Sequence, residues 1–359
     1  MAILKRLHIL FLLPLLLTGC YQEFEPDINT DPVLCVNSLI TAGEPVAVEV
    51  TRTWVYNRGN GYSWNSYDET QPPANLVDDA KVYVYANGQL TSGEYIAKEG
   101  DTIRIVAESA KYGSAEATVV VPVAVPITIE NVRPQLLRVW KDSEYPIKST
   151  IHFNLGATLG IGRTTHADEY FRMQCRGVDC WDSGSGDGIY WIGNGFLGDV
   201  EDMNAPYANF QLGDFNEDSD PVFKEHITIL DDTFGFGGMF TCFTNRLFAG
   251  KGYDLNVQLD KGYLSVYSPE YNAELFDCKV EFTLMTVSGS YYNTMLYGWE
   301  MENGALGEFN DTGLADPVWG YSNVSTNAGV VAARAVSTCT VSLRDFFETA
   351  FNDAPSETY

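Results

Sequence analysis

Histidine is nearly missing, with four in 359 residues, and only His152, His166 and His226 lie beyond the first few positions. The chain has no Gly-x-Ser-x-Gly, no His-Glu-x-x-His and no Cys-x-x-Cys. It therefore lacks the sequence signatures of a nucleophile elbow, of a zinc protease and of a paired-thiol metal or redox site. Positive charge is scarce too: 22 Lys and Arg stand against 48 Asp and Glu, a formal net charge of −26. Such a surface repels nucleic acid, so a nucleic-acid partner is excluded. No apolar run approaches the ~20 residues that cross a bilayer as a helix. Internal repeats and low-complexity tracts are also absent. Aromatic residues make up 13% of the chain, which argues against disorder.

The apolar run that does exist is short. Lys5 and Arg6 precede Ile9 to Leu17, and Leu17-Thr18-Gly19-Cys20 follows at once. A basic start, a short apolar stretch and small residues before a cysteine are the elements of a secretory leader. The last four residues resemble the bacterial lipobox, in which the thiol of the new N-terminus takes a diacylglyceryl group. Residues 1–19 are thus expected to be removed and Cys20 to carry the lipid. Each buried CH₂ contributes about 0.8 kcal/mol, so several acyl chains on one cysteine make a stable membrane anchor. Residues 20–31, acidic and interrupted by Pro26, read as a tether.

Six further cysteines suit an oxidising compartment: Cys35, Cys175, Cys180, Cys242, Cys278 and Cys339. Cys175 and Cys180 flank a short Arg-Gly-Val-Asp turn and are the candidate disulfide. Buried free thiols are the alternative.

From Pro32 onward the pattern is that of strands. Val46, Val48 and Val50 alternate with other residues; so do Val82, Val84 and Ala86, which stop at Asn87-Gly88, a strong hairpin signal. Ile103, Ile105 and Ala107, then Ala115, Ala117, Val119 and Val121, continue the period of two. The fold class expected is all-β, with an immunoglobulin-like β-sandwich over 32–126 and a larger β-sandwich-like domain over 127–359. In the larger domain the clearest strands are Ile151-Phe153-Leu155, Leu255-Val257-Leu259 and Cys278-Val280-Phe282-Leu284. Two short helices are expected. One places Tyr292, Met295, Leu296 and Trp299 on a single face; the other starts with Ser342 and carries Leu343, Phe346, Phe347 and Phe351.

Candidate binding residues come from loops. Tyr62, Trp64 and Tyr67 sit among glycines and asparagines after a strand, where flat aromatic faces serve a sugar, a peptide or a protein partner. Tyr190 and Trp191 form a second such cluster. Asp214, Asn216, Asp218 and Asp220 place oxygens at alternate positions, as a hard cation requires, which makes calcium the candidate ion; no other cofactor is expected. Ser219 stands where a calcium loop wants glycine, and Pro221 lacks an amide. Asp101-Thr102-Ile103 is similar to a short O-glycosylation site.

In order along the chain, the lipobox, Val36-Asn37-Ser38-Leu39-Ile40-Thr41, Asp79-Ala80-Lys81-Val82, Val121-Pro122, Asp220-Pro221 and Asp232-Thr233-Phe234 form a recognisable series. It closes on Asp316-Pro317, Ser322-Asn323-Val324 and Ala328-Gly329-Val330. The series resembles the Bacteroidota outer-membrane lipoprotein family catalogued as domain-of-unknown-function family 4249. The resemblance implies an accessory or ligand-capture lipoprotein beside a TonB-dependent outer-membrane receptor, facing the cell exterior and carrying no catalytic residues. The acidic tether also resembles the signal that sends such lipoproteins to the outer face. Partners expected on this reading are the receptor, the membrane through the lipid, and a glycan or peptide ligand. Two rivals stand beside it: a fimbrillin-like structural or adhesive subunit, and a surface glycan- or peptide-processing enzyme. Arg52 is the one basic cleavage candidate in 32–54 and lies well past the first strand, which disfavours the fimbrillin.

Overall fold

Alternation of apolar and polar residues, with turns at Gly, Asn and Pro, makes the described residues mostly strand. The computed structural model describes residues 31–53, 76–91, 94–142, 148–164, 168–178, 207–227, 240–267, 276–303 and 320–353. In chain order the first strands are β1 (Leu34–Thr41), β2 (Glu49–Arg52), β3 (Lys81–Ala86), β4 (Gln89–Leu90), β5 (Thr102–Ser109) and β6 (Gly113–Val120). Next come β7 (Ile127–Asp142), β8 (Lys148–Ile161), β9 (Tyr170–Val178), β10 (Tyr207–Gln211), β11 (Asp214–Phe215), β12 (Cys242–Thr244) and β13 (Tyr253–Tyr267). β14 (Lys279–Val287), helix α1 (Gly289–Asn303), β15 (Val331–Ser342) and helix α2 (Arg344–Asp353) complete it. The all-β class expected from the alternation is thus observed. No described helix is long and apolar enough to cross a membrane.

Three sheets share the strands. One has six, in the order β12-β9-β14-β15-β1-β2; a second runs β10-β13-β8-β7 with β11 paired to β13; a third runs β4-β3-β5-β6. The six-stranded sheet serves two cores. Val280, Phe282 and Leu284 of β14 and Phe171, Met173 and Cys175 of β9 pack with β8 and β13 of the second sheet and with Phe347 of α2. Leu34, Val36 and Ile40 of β1 and Val331 and Ala333 of β15 pack with Ile103, Ile105 and Ala117 of the third sheet. The opposite face of β14 and β15, at Met285, Val287 and Ala332, is covered by Tyr291, Tyr292 and Trp299 of α1. Fully burying an aliphatic or aromatic side chain stabilises by about 1.5–3 kcal/mol, so each core is held by many such increments.

β1 lies parallel to β15, pairing Ser38 with Val331 and Thr41 with Arg334. The first described strand is therefore interior to its sheet, flanked by β2 and by a strand that begins nearly three hundred residues later. The boundary expected at residue 126 does not divide the sheets between separate domains: β1 and β2 share a sheet with β14 and β15, and Val33–Thr53 and Pro72–Tyr359 form one compact unit. Long-range pairing of this kind leaves no local signature, because each partner reads only as an amphipathic strand.

Most alternating faces fall as expected. Ile103, Ile105 and Ala107 are wholly buried, as are Ile151 and Phe153. Asn87 and Gly88 both adopt positive φ, at 52° and 80°, the geometry of the tight turn that joins β3 to β4. β3 departs from expectation: Val82 is 41% exposed and only Ala86 of that face is buried, because β3 lies toward the end of the smallest sheet. Both helices form where expected. Ser342 Oγ accepts from Arg344 N at 3.2 Å and caps α2, and Leu343, Phe347 and Ala350 enter the core.

Candidate functional site

The acidic run 214–220 folds around two 3₁₀ turns, Glu217–Ser219 and Pro221–Lys224, which break the alternation a calcium loop depends on. Its four side chains carry separate structural tasks. Asp214 is 82% exposed, 4.0 Å from Lys261. Asn216 Oδ1 accepts from Asp218 N at 2.9 Å and its amide donates to Asp260. Asp218 pairs with Lys224. Asp220 is 2% exposed and accepts from Val222 N (3.2 Å), Tyr253 Oη (2.7 Å) and Asn256 N (2.9 Å). Burial, then the bond to Asp220, drives the Tyr253 hydroxyl far above its ordinary pKa. Glu225 Oε2 accepts from both the amide and the hydroxyl of Thr244, while its buried Oε1 bonds nothing among the described residues. Among the described residues no group of three or more His, Cys, Asp or Glu is arranged to hold a metal ion.

Cys175 is a free thiol whose side chain enters the larger core, while Cys180 lies outside the described residues. Cys242 is likewise a buried free thiol, and Cys278 is buried. Burial pushes the Cys242 thiol up to about 12, against the pull of Arg172, and the Cys339 thiol up to about 11; Cys175 goes higher still. An unfolded thiol ionises near ~8.5. The folded chain keeps its protons where the unfolded chain loses them, so this stability is complete below that value and drains away as pH rises through the folded values. Thermal denaturation at stepped pH should show a flat melting temperature to about pH 8.5 and a fall beyond it. Cys175→Ala/Cys242→Ala should flatten that fall; an unaltered slope would assign the alkaline loss to other groups.

Among the described residues a concavity of about 760 Å³ lies where β6 ends. There the chain crosses from the small sheet to the large one as Val121–Pro126. Val121 N bonds Asp101 O at 2.8 Å, and Val125 N bonds Thr286 Oγ1 at 3.1 Å, so both ends of the crossing are tied. This segment and the end of β6 form one wall. The other is made by the end of β14, the start of α1, Tyr170 at the start of β9, and Tyr321 and Asn323 ahead of β15. Ser288 fixes the helix start: its Oγ accepts from Tyr291 N at 3.3 Å and from Ala333 N at 3.0 Å. Tyr170 is braced by Tyr292, ring centres 4.8 Å apart. Val120 and Val123 stand 56% and 59% exposed along the first wall. Arg163, bonded through Nε to Gly250 O, and Asp168 and Glu169 supply charge at the rim.

A second, smaller hollow of about 440 Å³ lies on the outer face of β7, β8 and β13. Trp140, His152 and Tyr263 rise around a floor where Thr150 and Ser265 hydroxyls bond at 3.0 Å.

Residues 21–338 match the profile of the family described as Domain of unknown function (DUF4249). The chain belongs to that family. No curated protein and no solved structure matches it.

The family motifs that fall on described residues prove to be joints of the fold. Asn37 Oδ1 accepts from Val330 N at 3.0 Å, stitching the first motif to the last. Asn323 makes a two-way bond with Val331, donating to its carbonyl at 2.8 Å and accepting from its amide at 2.9 Å. Asp79 takes the Ser109 hydroxyl and the Ala110 amide, closing the turn between β5 and β6. Asp101, expected as part of a glycosylation site, is buried and takes Asn87, Tyr95 and Lys98, while Thr102 beside it is exposed. Asp232-Thr233-Phe234 and Asp316-Pro317 lie outside the described residues, as do Cys20, Tyr62, Trp64, Tyr67, Tyr190 and Trp191. Neither concavity was visible in the sequence. The groove joins residues more than 160 positions apart, and the hollow is built from solvent-facing positions of strands read only for their buried face.

Proposed function

We propose that this protein is a lipid-anchored outer-membrane protein that works by binding, as an accessory or capture partner of a TonB-dependent receptor, and performs no chemistry of its own. The observation that supports this reading is the groove at the end of β6. It presents exposed Val120 and Val123 beside Tyr170 in a chain whose net charge is −26. Apolar concavities with a few polar groups are the common form of ligand and partner sites. The lipobox supports anchoring through Cys20, and the aromatic-rich stretches of sequence with Tyr62, Trp64, Tyr67, Tyr190 and Trp191 offer further contact material.

Anchoring and binding are tested by separate measurements. Cys20→Ser should move the protein out of the membrane fraction or leave it unprocessed; unchanged fractionation with retained fatty-acid labelling removes the anchor. Val123→Asp should leave thermal stability within about 0.5 kcal/mol of the parent, since the side chain is exposed. It should weaken recovery of the receptor from detergent-solubilised outer membrane. Equal recovery would take the groove out of the binding role.

A further inference from the structure

β6 is the outer strand of the small sheet, and its register to β5 runs without a break from Ser109–Gly113 to Thr102–Val120. Val121 N bonds Asp101 O in that same register. In an antiparallel ladder, bonded and non-bonded pairs alternate. Residues 115, 117 and 119 therefore turn their backbone groups to β5, and Glu116, Thr118 and Val120 turn theirs outward. The outward set is already used once. Ser325 N donates to Glu116 O at 2.9 Å, and Glu116 N donates to Ser325 Oγ at 2.9 Å. Past that point Thr118 and Val120 present two amides and two carbonyls that bond nothing among the described residues.

Exposed edges are normally blunted by charge, proline or bulges. β7, the outer strand of the five-stranded sheet, has all three: Glu130, Arg133 and Arg138, Pro134, and register breaks at Ile129/Asn131 and Leu136/Arg138. The edge of β6 at Thr118-Val119-Val120 has none of them, is β-branched throughout, and meets a proline only at Pro122. It also opens into the groove described above, whose far wall is the end of β14 and the start of α1.

We propose that this groove takes an extended peptide segment, which adds to the edge of β6 through the backbone groups of Thr118 and Val120. The proposal deepens the binding role and rests on it. The occupant is one extended segment, because what the edge offers is the outward backbone groups of Thr118 and Val120. Its charge follows from the surroundings. Asp168 and Glu169 border the groove, the Arg163 guanidinium is engaged with Gly250, and the chain carries −26 overall. A neutral or basic peptide is favoured, and a second copy of this acidic chain is repelled. Small apolar side chains at alternate positions would meet Val120 and Val123.

The test uses the full mature chain and a fluorescent heptapeptide of alternating valine and threonine with a lysine at each end. Two further versions carry N-methyl groups on alternate amides, one set in each register. Saturable binding of the parent peptide is expected, with at least a tenfold loss for one methylated register and little change for the other. Val120→Pro removes an outward amide that bonds nothing among the described residues, a position where edge strands tolerate proline. It should keep the melting temperature and lose at least tenfold in peptide affinity. Hydrogen exchange on the unaltered chain gives a readout free of any folding defect. The Thr118 and Val120 amides should slow on adding peptide, while that of Val119, already paired, should not change. Equal loss in both registers, no saturable binding, unchanged exchange, or peptide-free dimerisation through β6 would each overturn strand addition. Receptor recovery that survives Val120→Pro but not Val123→Asp would keep the binding role and discard this mode of it.

Discussion

Gly329→Ala is expected to cost about 4 kcal/mol and to lower the melting temperature by roughly 8 °C. Gly329 has φ +90°, where a side chain is strained. A Cβ there would lie 2.2 Å from Val36 O and 2.7 Å from Val36 N. The obstructing atoms are backbone of a central strand, and they are themselves engaged: Val36 N donates to Ala328 O and, one step on, Ser38 N to Val330 O. Room can be made only by moving β1 away from β15, which loosens the core around Leu34, Val36 and Ile40. Thermal denaturation followed by circular dichroism measures the loss. A shift under about 2 °C would mean the seam yields freely and that Gly329 is not what lets the two strands close.

Asp220→Ala should cost about 3 kcal/mol, because three donors in a buried place lose a charged acceptor at once. Val222 N, Tyr253 Oη and Asn256 N all depend on it. Asp220→Asn keeps part of the acceptor set and should cost less. Asp214→Ala, in the same run, removes an 82% exposed side chain and should change almost nothing. A calcium loop predicts a different pattern. Calcium would then raise the melting temperature of the parent, and Asp214→Ala and Asp218→Ala would each abolish the rise. The pattern across these variants, with and without calcium, separates a structural aspartate from a liganding one.

Much of this architecture was legible because it is local. Alternation placed Ile103, Phe153, Leu255 and Phe282 inside, and Asn87-Gly88 marked its turn. The spacing of Tyr292, Leu296 and Trp299 announced α1. What escaped was non-local. Nothing in Val36-Asn37-Ser38 says that its neighbour is Val330-Val331, since a buried parallel pair looks like any two apolar strands. The acidic run reads two ways for a related reason. Alternate carboxylates fit an extended calcium loop, yet Asn216 and Asp220 each cap a short turn, a use of Asx residues at least as common. The groove was invisible because its value lies in unpaired backbone, which every residue but proline possesses and no side-chain pattern reveals.

The pairing of β1 with β15 also orders events in time. Residues 34–41 emerge early in synthesis, but their parallel neighbour begins only at Val331. Until then β1 has one flank open and its apolar face without Val331 and Ala333 to complete the core. Closing so long a loop is slow compared with forming the β3–β4 hairpin or α1. The core that β1 shares with the small sheet is therefore completed only when Val331 and Ala333 arrive, and a chain stopped short of residue 331 leaves the apolar face of β1 open to aggregation.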